Sequence, residues 1–177
     1  MGFQRPVKIM FKDNYFRFWL TYNYRLTTLL ETGMVEEALE HILETLHGYM
    51  SRVFEDMLPE IAAVLYKQRY IKARPVQVGR WWHKDTEIDL IVREPGKHTC
   101  FIEAKWSKLT VKEAEEEIER LQEKSAKTGL TSPTNTYILV AKQITDRRTP
   151  VTKGHWKIVD LSILKSFGHG RRGKAEP

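Results

Sequence analysis

Two stretches, EIDLIVR (residues 87–93) and TCFIEAKW (residues 99–106), separated by the turn EPGK (residues 94–97), read as the arms of one β-hairpin. A turn centred on Gly96 places Glu87 opposite Lys105, Asp89 opposite Glu103 and Ile91 opposite Phe101. Alternate residues of a strand share a face. Glu87, Asp89, Ile91, Phe101, Glu103 and Lys105 are therefore expected to point one way. Ile88, Leu90, Val92, Cys100, Ile102, Ala104 and Trp106 would point the other. Both faces are mostly apolar, as in a strand pair covered on each side.

One of those faces ends in four ionisable groups. Like charges directly opposite each other, here Asp89 and Glu103, are destabilising unless something offsets them. A divalent cation is the simplest offset, because carboxylate oxygens are hard ligands suited to Mg²⁺ or Mn²⁺. Lys105, two residues past Glu103, can orient a water or stabilise charge on a phosphate. An ordinary cross-strand ion pair between Glu87 and Lys105 is the plainer alternative, and a one-residue slip of register would undo the geometry.

Outward from the hairpin, residues 35–66 carry apolar positions at helical spacing, with a kink or break expected at Gly48 or Pro59. Asp13 or Asn14 can cap an earlier helix whose Phe16, Trp19, Leu26 and Leu30 recur on one side until Gly33. Residues 75–82 read as a strand and 111–127 as an amphipathic helix, with Val111, Ala114, Ile118 and Leu121 inward and an acidic run solvated. Residues 136–141 and 156–161 read as two further strands. The order implies an α/β fold with a mixed central sheet flanked by helices, preceded by a helical N-terminal segment. Residues 1–34 form that segment, 35–167 the main domain, and 168–177 a mobile basic tail.

The 177 residues suffice for one domain with a helical extension, and 41% hydrophobic with 29% charged residues is ordinary for a globular protein. No apolar run is long enough to span a bilayer, and the N-terminus lacks an apolar export signal, so a cytoplasmic protein is expected. The lone Cys100 excludes an internal disulfide and argues against a Cys-based zinc site.

Net charge is +6, and its distribution is informative. Between Lys67 and Lys84 lie six basic residues, Lys67, Arg69, Lys72, Arg74, Arg80 and Lys84, and no acidic one. Trp81 and Trp82 lie within the stretch. Lys72, Arg74, Arg80 and Lys84 suit a phosphate backbone, and the tryptophans either stack on bases or pack internally. A solvated basic face is the alternative. The aromatic run Phe11, Tyr15, Phe16, Phe18, Trp19, Tyr22 and Tyr24 suggests packing on its own core or docking against another surface, a second copy of the chain included.

An acidic residue on one strand followed by E-x-K on the next resembles the PD-(D/E)xK nuclease superfamily. Here it reads Glu87-Ile-Asp89 and then Glu103-Ala-Lys105, with Ile88 where the superfamily's name has proline. That resemblance implies a restriction-endonuclease-like core in which Asp89, Glu103 and the carbonyl of Ala104 hold Mg²⁺ (or Mn²⁺). It also implies a glutamate from the preceding helix, for which Glu55 fits best, while Asp56 aligns with Glu60 toward solvent. Glu87 is either a further ligand or the partner of Lys105. The segments DNYFRFW (13–19), VFE (53–55), RWW (80–82), EIDLIV (87–92) and FIEAKW (101–106) together resemble the C-terminal domain of archaeal P-loop ATPases over about residues 8–165. No G-x-x-x-x-G-K-[S/T] loop occurs in the chain, so an ATPase module would have to be separate or missing. The implied activity is Mg-dependent hydrolysis of DNA phosphodiesters by Glu55, Asp89, Glu103 and Lys105. The alternatives are a catalytically silent DNA-binding or regulatory module and an interaction domain that forms homodimers or docks on the ATPase.

Overall fold

The computed structural model describes residues 13–163; the basic tail and Phe11 lie outside them. The chain divides between Tyr49 and Met50 into two compact units.

In the first unit Asp13 caps helix α1 (Asn14–Phe18), its carboxylate accepting the backbone N–H groups of Tyr15 and Phe16. A π-helical turn, Trp19–Asn23, follows before α2 (Thr27–Glu31). Its wider winding, with the Tyr24 N–H bonded to the Trp19 carbonyl, rotates the side chains away from an ideal α-helical stripe. The small core consequently forms around Tyr22, Leu26 and Ala38, supported by Leu29, Ile42 and Tyr49. Phe16, Trp19 and Leu30, expected on the inner side, are exposed.

Helix α3 (Val35–Asp56) runs through Gly48 without interruption. The break falls at Met57, and Pro59 sits in the first turn of α4 (Leu58–Lys67), where its missing N–H removes no helical hydrogen bond.

The second unit is a six-stranded mixed sheet in the order β1-β2-β3-β4-β6-β5. Strands β1 (Gln77–His83), β2 (Thr86–Glu94) and β3 (His98–Leu109) form an antiparallel meander. Helix α5 (Val111–Ala126) then crosses to β4 (Thr134–Ile144), parallel to β3. The connection read after β4 contains a short strand, β5 (Val151–Lys153), which pairs antiparallel with β6 (Trp156–Asp160), itself parallel to β4. Three residues with one buried side chain are too short for a periodicity signal.

Both sheet faces are covered, as the apolar character of the hairpin implies. On one, Phe54, Leu58, Ile61 and Leu65 pack against Leu90, Val92, Cys100, Ile102 and Val140. On the other, Ala114, Ile118 and Leu121 of α5 cover Ile91, Phe101, Leu139 and Ile158. Thr110 and Glu113 form a reciprocal capping box that fixes where α5 starts.

Asp160, at the end of β6, is buried and ties three segments together. It accepts the Ile144 N–H at 3.0 Å, the Thr149 hydroxyl at 2.7 Å and the Ser162 N–H at 3.0 Å. Burial opposes its charge, yet these bonds outweigh burial and hold its carboxyl below the usual range. A depressed folded pKa contributes stability above the ordinary carboxylate pKa that is lost as pH falls through the folded value. Asp160→Ala should therefore cost about 2 kcal/mol or more at neutral pH, with a smaller cost in acid, measured by urea denaturation at both pH values. Equal stability of wild type and variant at neutral pH would contradict this role.

Candidate active site

The hairpin register follows the reading from the turn over most of its length: Leu90 pairs with Ile102, Ile91 with Phe101 and Val92 with Cys100. It stops there. On the other side of β2, Gly79 pairs with Ile91 and Trp81 with Ile88, so a step of two residues on β1 faces a step of three on β2. The extra residue is a β-bulge around Asp89 and Leu90, which breaks the alternation of side chains. Ile88, expected beside Leu90, lies instead in the α5-side cluster with Ile91 and Phe101.

The bulge brings the Asp89 carboxylate onto the main chain of β3. Its Oδ2 accepts the Ala104 N–H at 2.9 Å, where a ladder carbonyl would otherwise serve. Asp89 and Glu103 are both buried, 8% and 6% exposed. Burial, chiefly, raises the Asp89 carboxyl, and the nearby Glu87 charge adds to this, while the Ala104 N–H opposes it. Burial and the Asp89 carboxylate push Glu103 up to about 7, against the pull of Lys124 and Lys105. Glu55, half-buried at the end of α3, is raised by burial first and by the Asp89 charge second. The Asp89 charge thus acts on both Glu55 and Glu103.

Helix α5 supplies what that reading missed. Lys124 donates to Glu103 Oε1 at 2.7 Å, and Lys105 pairs with Glu117 at 3.0 Å. Glu117 also pairs with Arg120 at 2.6 Å. Glu103 and Lys105 do share a face, as expected, but it is the face under α5. The acidic run of α5, assigned wholly to solvent, therefore contributes Glu117 to the site. Glu117 precedes the inward Ile118 and Lys124 lies three residues past the inward Leu121, so both flank the buried stripe. That spacing is the signal by which they could have been found.

Two expectations are replaced. Glu87 is exposed and lies beyond the end of the β2–β3 register, and Lys105 pairs with Glu117 instead. Asp56, assigned to solvent, is largely covered and accepts from Arg80 Nη2 at 2.6 Å. The second glutamate Oε atom of Glu103 is buried and has no hydrogen-bond partner. Among the described residues, no group of three or more His, Cys, Asp and Glu side chains is gathered closely enough to hold a metal ion as it stands.

The basic segment does not form one strip. Lys72 acts electrostatically on His98 and Lys157, and Arg74 on Glu94, at the end of the sheet where β3 begins. Arg80, Trp81, Trp82 and Lys84 lie on β1 and its turn, toward the carboxylates. Trp82 is 57% exposed, whereas Trp81 is partly buried against the α5-side core.

Such a buried carboxylate pair, set beside a lysine on the same strand of a mixed sheet, defines an α/β protein with a charged centre beneath a crossover helix. The family model DUF234, described as "Archaea bacterial proteins of unknown function", matches residues 19–118, and the chain belongs to that family. It is also similar to the "Uncharacterized protein MJECL04" of Methanocaldococcus jannaschii, with 31% identity over 134 residues, 75% of this chain. The chain spans about 30% of that relative's length. No solved structure matched the chain. The family match includes Glu55, Asp89, Glu103, Lys105 and Glu117.

The raised carboxyl of Glu103 has a signed consequence. A group whose folded pKa exceeds its unfolded value near 4.5 contributes stability below that value, and the contribution is lost as pH rises through about 7. In EDTA, wild type should lose on the order of 2–3 kcal/mol through this group between pH 5 and 8. Glu103→Gln should flatten that slope and melt higher than wild type at pH 8. Parallel melting profiles of the two proteins would refute it.

Proposed function

We propose that the protein is a metal-dependent phosphodiesterase acting on DNA, built on a restriction-endonuclease-like core. The observation that carries this reading is Glu103 Oε2, a buried acceptor with no partner, beside a second buried carboxylate, Asp89. An unsatisfied buried carboxylate oxygen is costly, and a hard divalent cation is a fitting partner for it. Asp89 and Glu103 would hold Mg²⁺ or Mn²⁺, with Glu55 assisting directly or through water and Glu87 in an outer role. Bound there, the metal would supply a low-pKa water and neutralise charge on the scissile phosphate.

The chain's own residues divide the remaining work. Lys105, on the strand of Glu103, places a positive charge where a phosphate oxygen gains negative charge. Glu117 holds the Lys105 ammonium in the absence of substrate and fixes its direction. Lys124 neutralises Glu103 through Oε1 and leaves Oε2 as the oxygen that would meet a divalent cation. Arg80, Trp81, Trp82 and Lys84 provide a basic and aromatic approach along β1; Lys72 and Arg74, at the far end, would meet only a longer substrate.

Two observations favour a second reading, a catalytically silent DNA-binding or regulatory module. Lys105 and Glu103 are already paired within the protein, and no ready three-ligand cage exists among the described residues. In that case the internal ion pairs replace the metal permanently. The greater length of the M. jannaschii relative leaves room for a separate partner region, and a P-loop ATPase module or a second copy of this chain is the proposed partner. Among the described residues no helix is long and apolar enough to cross a membrane.

Cleavage of supercoiled plasmid and branched DNA with Mg²⁺ or Mn²⁺ separates the readings. Asp89→Ala and Lys105→Ala should each lower the cleavage rate by about 100-fold or more, and Asp89→Ala should also abolish Mn²⁺ binding in calorimetry. Equal cleavage by wild type and both variants removes the catalytic reading. DNA binding without cleavage by wild type supports the silent module.

A further inference from the structure

Strand β1 is a sheet edge, and on the α5 side it carries a notch. Gln77 pairs with Arg93 and Gly79 with Ile91, while Trp81, after the bulge, packs with Ile88 and Ile91 in the α5-side core. Gln77, Gly79 and Trp81 therefore follow one another along the same face of the edge strand, and the middle position has no side chain. Together with Leu130 from the segment after α5, these residues line an open cavity of about 200 Å³. A Cβ built on Gly79 would meet nothing within 4 Å, so the space above it is vacant.

The notch has a defined size and chemistry. Same-face residues of a strand are about 6.8 Å apart, roughly two ring thicknesses at van der Waals contact. With no side chain at Gly79, Gln77 and Trp81 stand about 13.6 Å apart along the strand, which leaves room for a planar ring beside the Trp81 indole. The cavity is smaller than the ~300–1,000 Å³ clefts that hold drug-sized ligands, which suits a single ring system. Ile91 and Leu130 give it apolar walls. At the other end, Arg93 Nε is buried without a hydrogen-bond partner, and Arg93 Nη1 reaches Gln77 Oε1 only at 3.5 Å. A buried guanidinium donor left unmatched calls for an acceptor.

We infer that this slot takes an unpaired nucleobase, its ring stacked on Trp81 over Gly79 and its acceptor edge or flanking phosphate bonded to Arg93. A nucleobase brings in-plane acceptors to Arg93, which a phenyl ring would not; a bare phosphate would leave the apolar walls unused. The inference rests on the nucleic-acid reading above and sharpens it. The substrate class becomes DNA with a single-stranded or extruded nucleotide, such as a branch, flap or end, since a base within an intact duplex has no exposed ring face.

Fluorescence anisotropy of the full chain with a labelled oligo-dT 12-mer and with a blunt 20-base-pair duplex tests this. Wild type should bind the single strand more tightly than the duplex. Gly79→Val, which fills the slot with a side chain favoured in strands, should weaken single-strand binding about tenfold and leave duplex binding and the melting temperature unchanged. Arg93→Met should weaken single-strand binding several-fold and serves as the second arm if Gly79→Val lowers the melting temperature. Unchanged single-strand binding in both variants overturns the slot, as does a wild-type preference for duplex; in either case the DNA reading survives. Binding of neither nucleic acid removes both.

Discussion

The hydrogen bond from the Ala104 N–H to the Asp89 carboxylate is the point around which the site is organised. A buried backbone N–H must find an acceptor, and beyond Leu90 and Ile102 the β2–β3 ladder no longer provides one there. Asp89 fills that gap because the bulge in β2 brings its side chain to the main chain of β3. The same bond keeps a carboxylate inside the sheet, beside Glu103, where burial and mutual repulsion oppose charge on both. The compensation visible in the structure comes from α5, whose Lys124 covers one oxygen of Glu103 and leaves the other bare.

That arrangement explains why α5 belongs to the site as much as the hairpin does. The helix crosses from β3 to β4, and packing of Ala114, Ile118 and Leu121 on the sheet lays its flanks over Glu103 and Lys105. Glu117 and Lys124, at the edges of the apolar stripe of α5, are then brought to opposite charges on β3. Internal ion pairs of this kind hold both partners in place, and they compete with any external cation or phosphate for the same groups.

On the opposite flank of the hairpin, the basic segment is divided by the direction of the chain. Lys72 and Arg74 precede β1 and lie by the start of β3, whereas Arg80 to Lys84 lie at its far end, by the carboxylates. Arg80 is committed to Asp56. What remains along β1 is an exposed Trp82, a partly buried Trp81 and the notch at Gly79, features that depend on which face each residue takes rather than on charge.

The α/β class, the hairpin and its turn, both covered faces, the Asp13 cap and the amphipathic α5 were legible in the residues, because periodicity and turn chemistry are local properties of the chain. So was the hairpin register from Leu90 to Glu94 against His98 to Ile102, since it follows from the turn. The bulge at Asp89 was not legible, because it depends on how β1 pairs across β2, and its effect was to exchange Glu87 for Glu117 as the partner of Lys105. The π-helical turn moved the inner face of the first unit for a similar reason, a local change in winding that residue spacing does not announce. Sequence by itself determined which charges the hairpin carries. Only tertiary structure decided what each one faces, because partners across a sheet or beneath a crossover helix are set by packing between segments distant in the chain.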